Sequence, residues 1–284
     1  SALGDIDWSA QGTRRPYLGS FCALFGAIAI PPYLACAAAM VSMKELSAYK
    51  IMIYLAAADI SDLLFASIGY GIMAITGEVY CAHPRFQLLF SMGLEFFFFC
   101  ATTACFLLAL NRFGEMLFIE SITRIFKGSR TVLMLLVCTI PIFLLVLFTP
   151  PMLFNSTHHM LFFDPMIFEG RFVYDSYVHF ACVTFMPTAS LLLYLLMLAG
   201  IVHKHGSLSK WSESNALSNA KFQIFVQSGI IISIHLTSMM TFQVLQLLPA
   251  RAVDSALYFA HFGWMMVHGT PSLVYLTLNP TIRE

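Results

Sequence analysis

Three carboxylates stand where a chain this apolar has little use for charge. Asp59 and Asp62 follow the run Leu55-Ala56-Ala57-Ala58, and Glu95 opens the aromatic run Phe96 to Phe99. Residues three apart share a helix face, so Asp59 and Asp62 are expected to work at one place. A charge at the centre of a bilayer costs about 2.5–3.5 kcal/mol on insertion scales. All three acids are therefore expected to face a protein interior, paired, hydrated or protonated. For Asp59 and Asp62 two readings stand: a polar switch whose hydration or protonation changes between conformations, or a structural hydrogen bond between helices. For Glu95 the alternatives are a contact to a cationic or hydrogen-bonding small molecule beside aromatic rings, or a buried tie to a neighbouring helix. Arg112, in Leu110-Asn111-Arg112-Phe113, reads either as an ordinary basic anchor at a membrane surface or as a contact for a partner protein. No nucleophile stands with a base, and His158-His159 has no Glu in register, so an enzyme is not expected. The seven cysteines show neither CxxC nor His-rich spacing, so neither a metal nor a cofactor is expected.

The elements that must position these residues follow from composition. Of 284 residues 59% are hydrophobic and 11% charged, against roughly 25% charged in soluble domains. Lipid is the solvent such a chain satisfies. A helix needs about 20 mostly apolar residues to cross the hydrocarbon core. Seven stretches qualify, at about 18–38, 51–75, 86–110, 131–148, 173–201, 222–248 and 256–278. The fold class expected is an all-α bundle of seven membrane helices forming one domain over 1–284. Prolines 31, 32, 141, 187 and 271 fall inside spans, where neighbouring groups can satisfy the freed carbonyls. Net charge is zero, so a nucleic-acid partner is not expected. The chain stops just past the last apolar run, and both a true N-terminus and a cytoplasmic tail are expected to lie beyond it.

Orientation follows from Lys and Arg. With the N-terminus outside, ten fall on inner segments, among them Lys44, Arg112, Lys127, Lys210, Lys221 and Arg283. Five fall outside: Arg14, Arg15, Arg85, Arg171 and Arg251. Asn155-Ser156-Thr157 is a glycosylation acceptor triplet in the loop that this topology puts outside. Side chains near the outer ends are candidates to line a small-molecule pocket: Glu95, Phe96, Phe99, His179, Gln243, His261 and Trp264. On the inner side, the loop His203 to Lys221 and the amphipathic stretch Glu115 to Arg130 offer contact surface, for a partner or for lipid headgroups.

Asp59 in the second span and Arg112 at the inner end of the third resemble rhodopsin-like receptors. So does the ending, with Pro271 and Tyr275 before Leu278-Asn279-Pro280-Thr281-Ile282-Arg283, and so does Pro187 in the fifth span. The finer wording is similar to nematode serpentine chemoreceptors of class T. It is carried by Tyr49-Lys50-Ile51-Met52, Gly77-Glu78-Val79-Tyr80-Cys81-Ala82-His83-Pro84, Asn111-Arg112 and His268-Gly269-Thr270-Pro271. The resemblance implies a receptor in the plasma membrane of a sensory neuron, with the cilium as its expected place. It would bind an environmental small molecule in the outer half of the bundle and expose Arg112 to a heterotrimeric G protein. It makes Asp59, Asp62, Asn111, Arg112, Pro271, Tyr275 and Asn279 the switch and coupling set. The chain departs from the rhodopsin-like pattern in places. Asn111 replaces the acid before the arginine, leaving Glu115, one turn on, as the available partner. Cys81 has no loop cysteine to pair with, so it is either free or bonded to Cys22 or Cys182. The sixth span lacks Trp and Pro, with His235 its most polar interior residue. The seventh has no Lys, which excludes a retinal Schiff base there. The alternative function is a small transporter or channel using Asp59, Asp62 and Glu95 as an ion path. Charge-free first, fourth, sixth and seventh spans speak against it.

Overall fold

The computed structural model describes residues 7–163, 176–208, 216–246, 250–279 and 282. Among them seven long helices dominate: α1 (Pro16–Ser42), α2 (Ser47–Thr76), α3 (Pro84–Leu117), α4 (Arg130–Phe148), α5 (Tyr177–His205), α6 (Ala216–Gln246) and α7 (Ala250–Leu278). Arg171, Lys210, Pro280, Thr281, Arg283 and the span ends 173–175 and 247–248 lie outside the described residues. Several helices outrun the apolar stretches. α3 continues to Leu117, past the expected inner end at Leu110, because Asn111, Arg112 and Glu115 find partners on its inner end. Proline starts α1 and α3, where its missing N–H costs nothing.

Among the described residues, six helices are long and apolar enough to cross a membrane. α7 is not among them, and its His261, His268, Thr270 and Ser272 show why. It spends its apolar character on polar groups that face inward. Burial sorts the helices by position: 67% of the most apolar stretch of α3 is buried, against 17% in α4. α3 is thus the central helix, packed on α2, α4, α5 and α6. α4 exposes Leu133, Leu136, Val137, Ile140 and Phe143, as a lipid-facing helix does.

Small residues set the closest approaches. A Cβ placed on Gly71 of α2 would lie 2.5 Å from the Gly19 carbonyl oxygen of α1, so the two backbones touch as membrane helices with small residues do. Ser67 then donates across the same seam to the Cys22 carbonyl at 2.5 Å. The stretch Leu63–Gly69 of α2 is π-helical and begins right after Asp62. Such wide turns recur at functional sites.

Between α4 and α5 the chain forms a small antiparallel hairpin, β1 (Leu153–Asn155) with β2 (Met160–Phe162), pairing Phe154 with Leu161. Met152, Phe154, Met160 and Leu161 are buried, so the hairpin is a plug set into one end of the bundle. Asn155 Oδ1 closes its turn by accepting from the backbone N–H of Thr157 at 2.9 Å and of His158 at 3.2 Å. All seven cysteines are free thiols. Of the options left open for Cys81, the structure has it unbonded.

Candidate functional site

The centre of the bundle is built on His268. Its Nδ1 lies 2.7 Å from Asp59 Oδ1, and its Nε2 lies 3.1 Å from Asp62 Oδ2. The shared face of Asp59 and Asp62 therefore closes on one imidazole from α7. The remaining oxygens draw in two more helices' groups. Tyr33 of α1 donates a short hydrogen bond to Asp59 Oδ2. Trp264 of α7 donates from its indole nitrogen to Asp62 Oδ2 at 3.0 Å. Every member is buried. Nδ1 hydrogen-bonds with Asp59, while Nε2 faces Asp62 without a hydrogen bond. The arrangement clamps α1, α2 and α7 together at one buried polar centre.

Phe98 of α3 links this clamp to the rest of the core. Its ring centroid lies 5.0 Å from Trp264, 6.1 Å from His268, 6.4 Å from His235 and 6.2 Å from His179. His235 of α6 is buried and hydrogen-bonds through Nε2 to Thr102 at 3.1 Å. Trp264 of α7 packs against Phe242 of α6 at 5.9 Å between ring centroids.

Toward the hairpin, one turn from Phe98, Glu95 is buried and accepts from the Met152 backbone N–H at 3.1 Å. His179 of α5 stands 3.8 Å from the same oxygen, with Phe99 and Phe163 edge-on to its ring at 5.2 Å and 5.0 Å. The tie found for Glu95 is thus to the backbone just before the hairpin and not to a neighbouring helix, and the group sits among aromatic rings. His261 stacks on Tyr70 at 3.6 Å, and Tyr70 donates a short hydrogen bond to the His159 carbonyl, holding the hairpin down. His159 itself is pushed down to about 4 by burial and by nearby Arg15 and His158.

The structure does not gather all seven expected pocket residues. Glu95, Phe99 and His179 come together under the hairpin, with Trp264 reached through Phe98. Phe96 turns the other way, edge-on to Phe143 of α4 at 6.2 Å, because adjacent helical residues point about 100° apart. Gln243 ties α6 to α5 through Thr184 at 2.8 Å. His268, Tyr33, Phe98 and the hairpin carry most of the geometry, although the sequence marks His268 only within a family motif and Phe98 only within an aromatic run. The hairpin had a signal: Met152-Leu153-Phe154 and Met160-Leu161-Phe162 repeat on either side of a polar turn.

At the other end of α3, Arg112 Nη1 pairs with Glu115 Oε2 at 3.0 Å. Asn111 Nδ2 donates to Ser47 at 3.1 Å and to Glu115 Oε1 at 3.3 Å. Asn111 therefore joins the arginine's partner instead of pairing with it. Pro271 lies within α7, and Tyr275 and Asn279 are buried between its last turns and the bundle.

The fold is similar to that in the crystal structure of squid rhodopsin, with a TM-score of 0.71, covering 94% of this chain and 82% of that one at 14% identity. Likeness at that identity is one of fold. A serpentine receptor class T-55 from Caenorhabditis elegans is 23% identical over 251 residues, 85% of this chain. The match spans 64% of that relative's length. The profile described as "Serpentine type 7TM GPCR chemoreceptor Srt" matches residues 4–284. A profile running over nearly the whole sequence, on a rhodopsin-like bundle, settles the family: the chain belongs to the Srt serpentine chemoreceptors, a seven-transmembrane receptor family.

Proposed function

We propose that this multi-pass membrane protein binds an environmental small molecule beneath the hairpin and activates a heterotrimeric G protein at the opposite end. It would do so in the plasma membrane of a sensory neuron, with its N-terminus and Asn155 outside. One observation carries the reading. Phe98 touches both His179, which stands beside Glu95, and His268, which stands between Asp59 and Asp62. A ligand pressing on Glu95, Phe99 or His179 moves a ring already in contact with the charge clamp. Release of that clamp frees α7 relative to α2, and Pro271, Tyr275 and Asn279 carry the change inward along α7. Arg112 then leaves Glu115 to meet the partner. The mixture of rings with one carboxylate and one imidazole suits a small ligand bearing a hydrogen-bonding or cationic group.

The test is nucleotide exchange on G protein reconstituted with the receptor, screened against volatile and water-soluble small molecules. Arg112→Ala is expected to abolish ligand-stimulated exchange while surface expression persists. Full signalling from that variant overturns the assigned role of Arg112. Loss of response in Glu95→Gln with unchanged basal exchange supports the ligand position.

A further inference from the structure

The seam between α6 and α7 opens sideways as a cleft of about 400 Å³, lined by Thr237, Ser238 and Thr241 from one helix and Phe259, Phe262 and Gly263 from the other. Phe259 and Phe262 are exposed, so its rim faces hydrocarbon. Hydroxyls on a lipid-facing helix bond to their own backbone, having no water to turn to. Ser233 and Thr241 do so, each donating to the carbonyl one turn back at 2.8 Å. Ser238 does not. It is 8% exposed, and its Oγ has no hydrogen-bond partner. Opposite it stands Gly263, where a Cβ would come within 2.9 Å of that oxygen. The glycine lets α6 and α7 approach so closely that Ser238 Oγ lies against its backbone, the one buried unpartnered hydroxyl among the described residues of a cleft that Ser233, Thr237 and Thr241 also line.

We propose that this cleft binds a lipophilic alcohol or ketone that reaches it from the bilayer. The hydrocarbon body lies on Phe259 and Phe262, and the single oxygen bonds to Ser238 Oγ once that side chain turns from Gly263 toward the cleft. From Ser233 to Thr241 the helix rises about 12 Å, which sets the length of body that fits. One oxygen suffices, because Ser233 and Thr241 are already satisfied. The next residue after Gly263 is Trp264, which holds Asp62. An occupant therefore wedges α6 from α7 level with the buried clamp. This site is separate from the one under the hairpin, and its occupancy requires no G protein.

The test uses the purified chain in lipid nanodiscs, a diazirine analogue of 1-octanol as photoprobe, and mass spectrometry of the labelled peptides. Label is expected on 233–241 and 259–266. Unlabelled 1-octanol should compete about fivefold better than n-octane at equal membrane concentration, the worth of one ordinary hydrogen bond. Ser238→Ala should reduce that preference to none while leaving the melting curve by circular dichroism unchanged. Gly263→Leu should remove the label. The lipid-facing groove on α5, lined by Phe180, Phe185, Thr188 and Leu192, serves as the internal comparison. Equal labelling of both grooves, or an octanol preference that survives Ser238→Ala, overturns the proposal. If Gly263→Leu fails to fold, the Ser238→Ala preference decides alone. Because the readout is labelling, it stands or falls independently of any signalling result.

Discussion

Truncating His268 to alanine removes a ring held 2.7 Å from Asp59 and 3.1 Å from Asp62. At an effective dielectric of about 20, unit charges at those distances attract by about 6 and about 5 kcal/mol before desolvation is counted. Desolvation offsets much of that, and removing one partner of a buried pair nets about 3–5 kcal/mol. At roughly 2–4 °C per kcal/mol for a chain near this size, His268→Ala should lower the apparent Tm by about 6–20 °C. The molecule supplies its own reporter. Cys22, Cys36, Cys100 and Cys105 are buried free thiols, so a thiol-reactive dye gains fluorescence as the bundle opens. The loss should be non-additive. Adding Asp59→Asn removes one of the stranded carboxylates, and the double variant should be more stable than the sum of the singles by about 1–3 kcal/mol. A Tm change under about 2 °C, or strict additivity with Asp59→Asn, would refute the idea that charge across α2 and α7 holds the core.

Gly71→Ala should push α1 from α2, since its new Cβ would sit 2.5 Å from a backbone oxygen; a cost of about 1–3 kcal/mol would show in the same thiol assay. The hairpin should loosen in acid. His159 is neutral in the folded plug and titrates near 4, below its usual 6.5, so stability is full above about pH 6.5 and falls as pH drops toward 4. Hydrogen exchange at 153–162, corrected for intrinsic rates, should therefore quicken between pH 7 and pH 5, and His159→Gln should flatten that dependence. Asn155 should carry glycan when the chain is made in a secretory pathway; a glycosidase shift lost in Asn155→Gln checks it, and no shift in the parent chain removes the sign that this loop is outside. Glu115→Gln should free Arg112 and raise basal nucleotide exchange about two- to fivefold if the pair's modest worth of about 0.5–1 kcal/mol restrains coupling.

Much of the bundle was legible because the bilayer imposes a simple rule on the backbone. Long apolar runs have to be helices, and their number and spacing lie open in the sequence. The pairing of Asp59 with Asp62 was legible too, being set by helical periodicity. Their partner was not. His268 sits 209 residues away from Asp59 in the chain, and nothing local tells an imidazole in α7 which helix it will meet. The same limit misplaced Phe96. A run of four phenylalanines spreads around a full turn, and only packing decides that Phe98 and Phe99 face inward while Phe96 meets α4. Arg112 and Glu115 were readable, because three residues along one helix fix their neighbourhood. The hairpin was missed for a different reason: three-residue strands are too short for periodicity to register, and only the repeated Met-Leu-Phe triplets mark it.

The π segment at Leu63–Gly69 sets the azimuth of everything beyond it in α2. A regular helix advances about 100° per residue and a π turn advances less, so rewinding the same seven residues as regular helix would swing Tyr70 away from His261 and the His159 carbonyl. Asp59 and Asp62, on the near side, would keep their aim. A one-residue deletion in this stretch, by contrast, lets the wide turn close to regular winding with little rotation beyond it, so the π segment is where α2 absorbs a change of one residue in length without losing either the plug's anchor or the buried core.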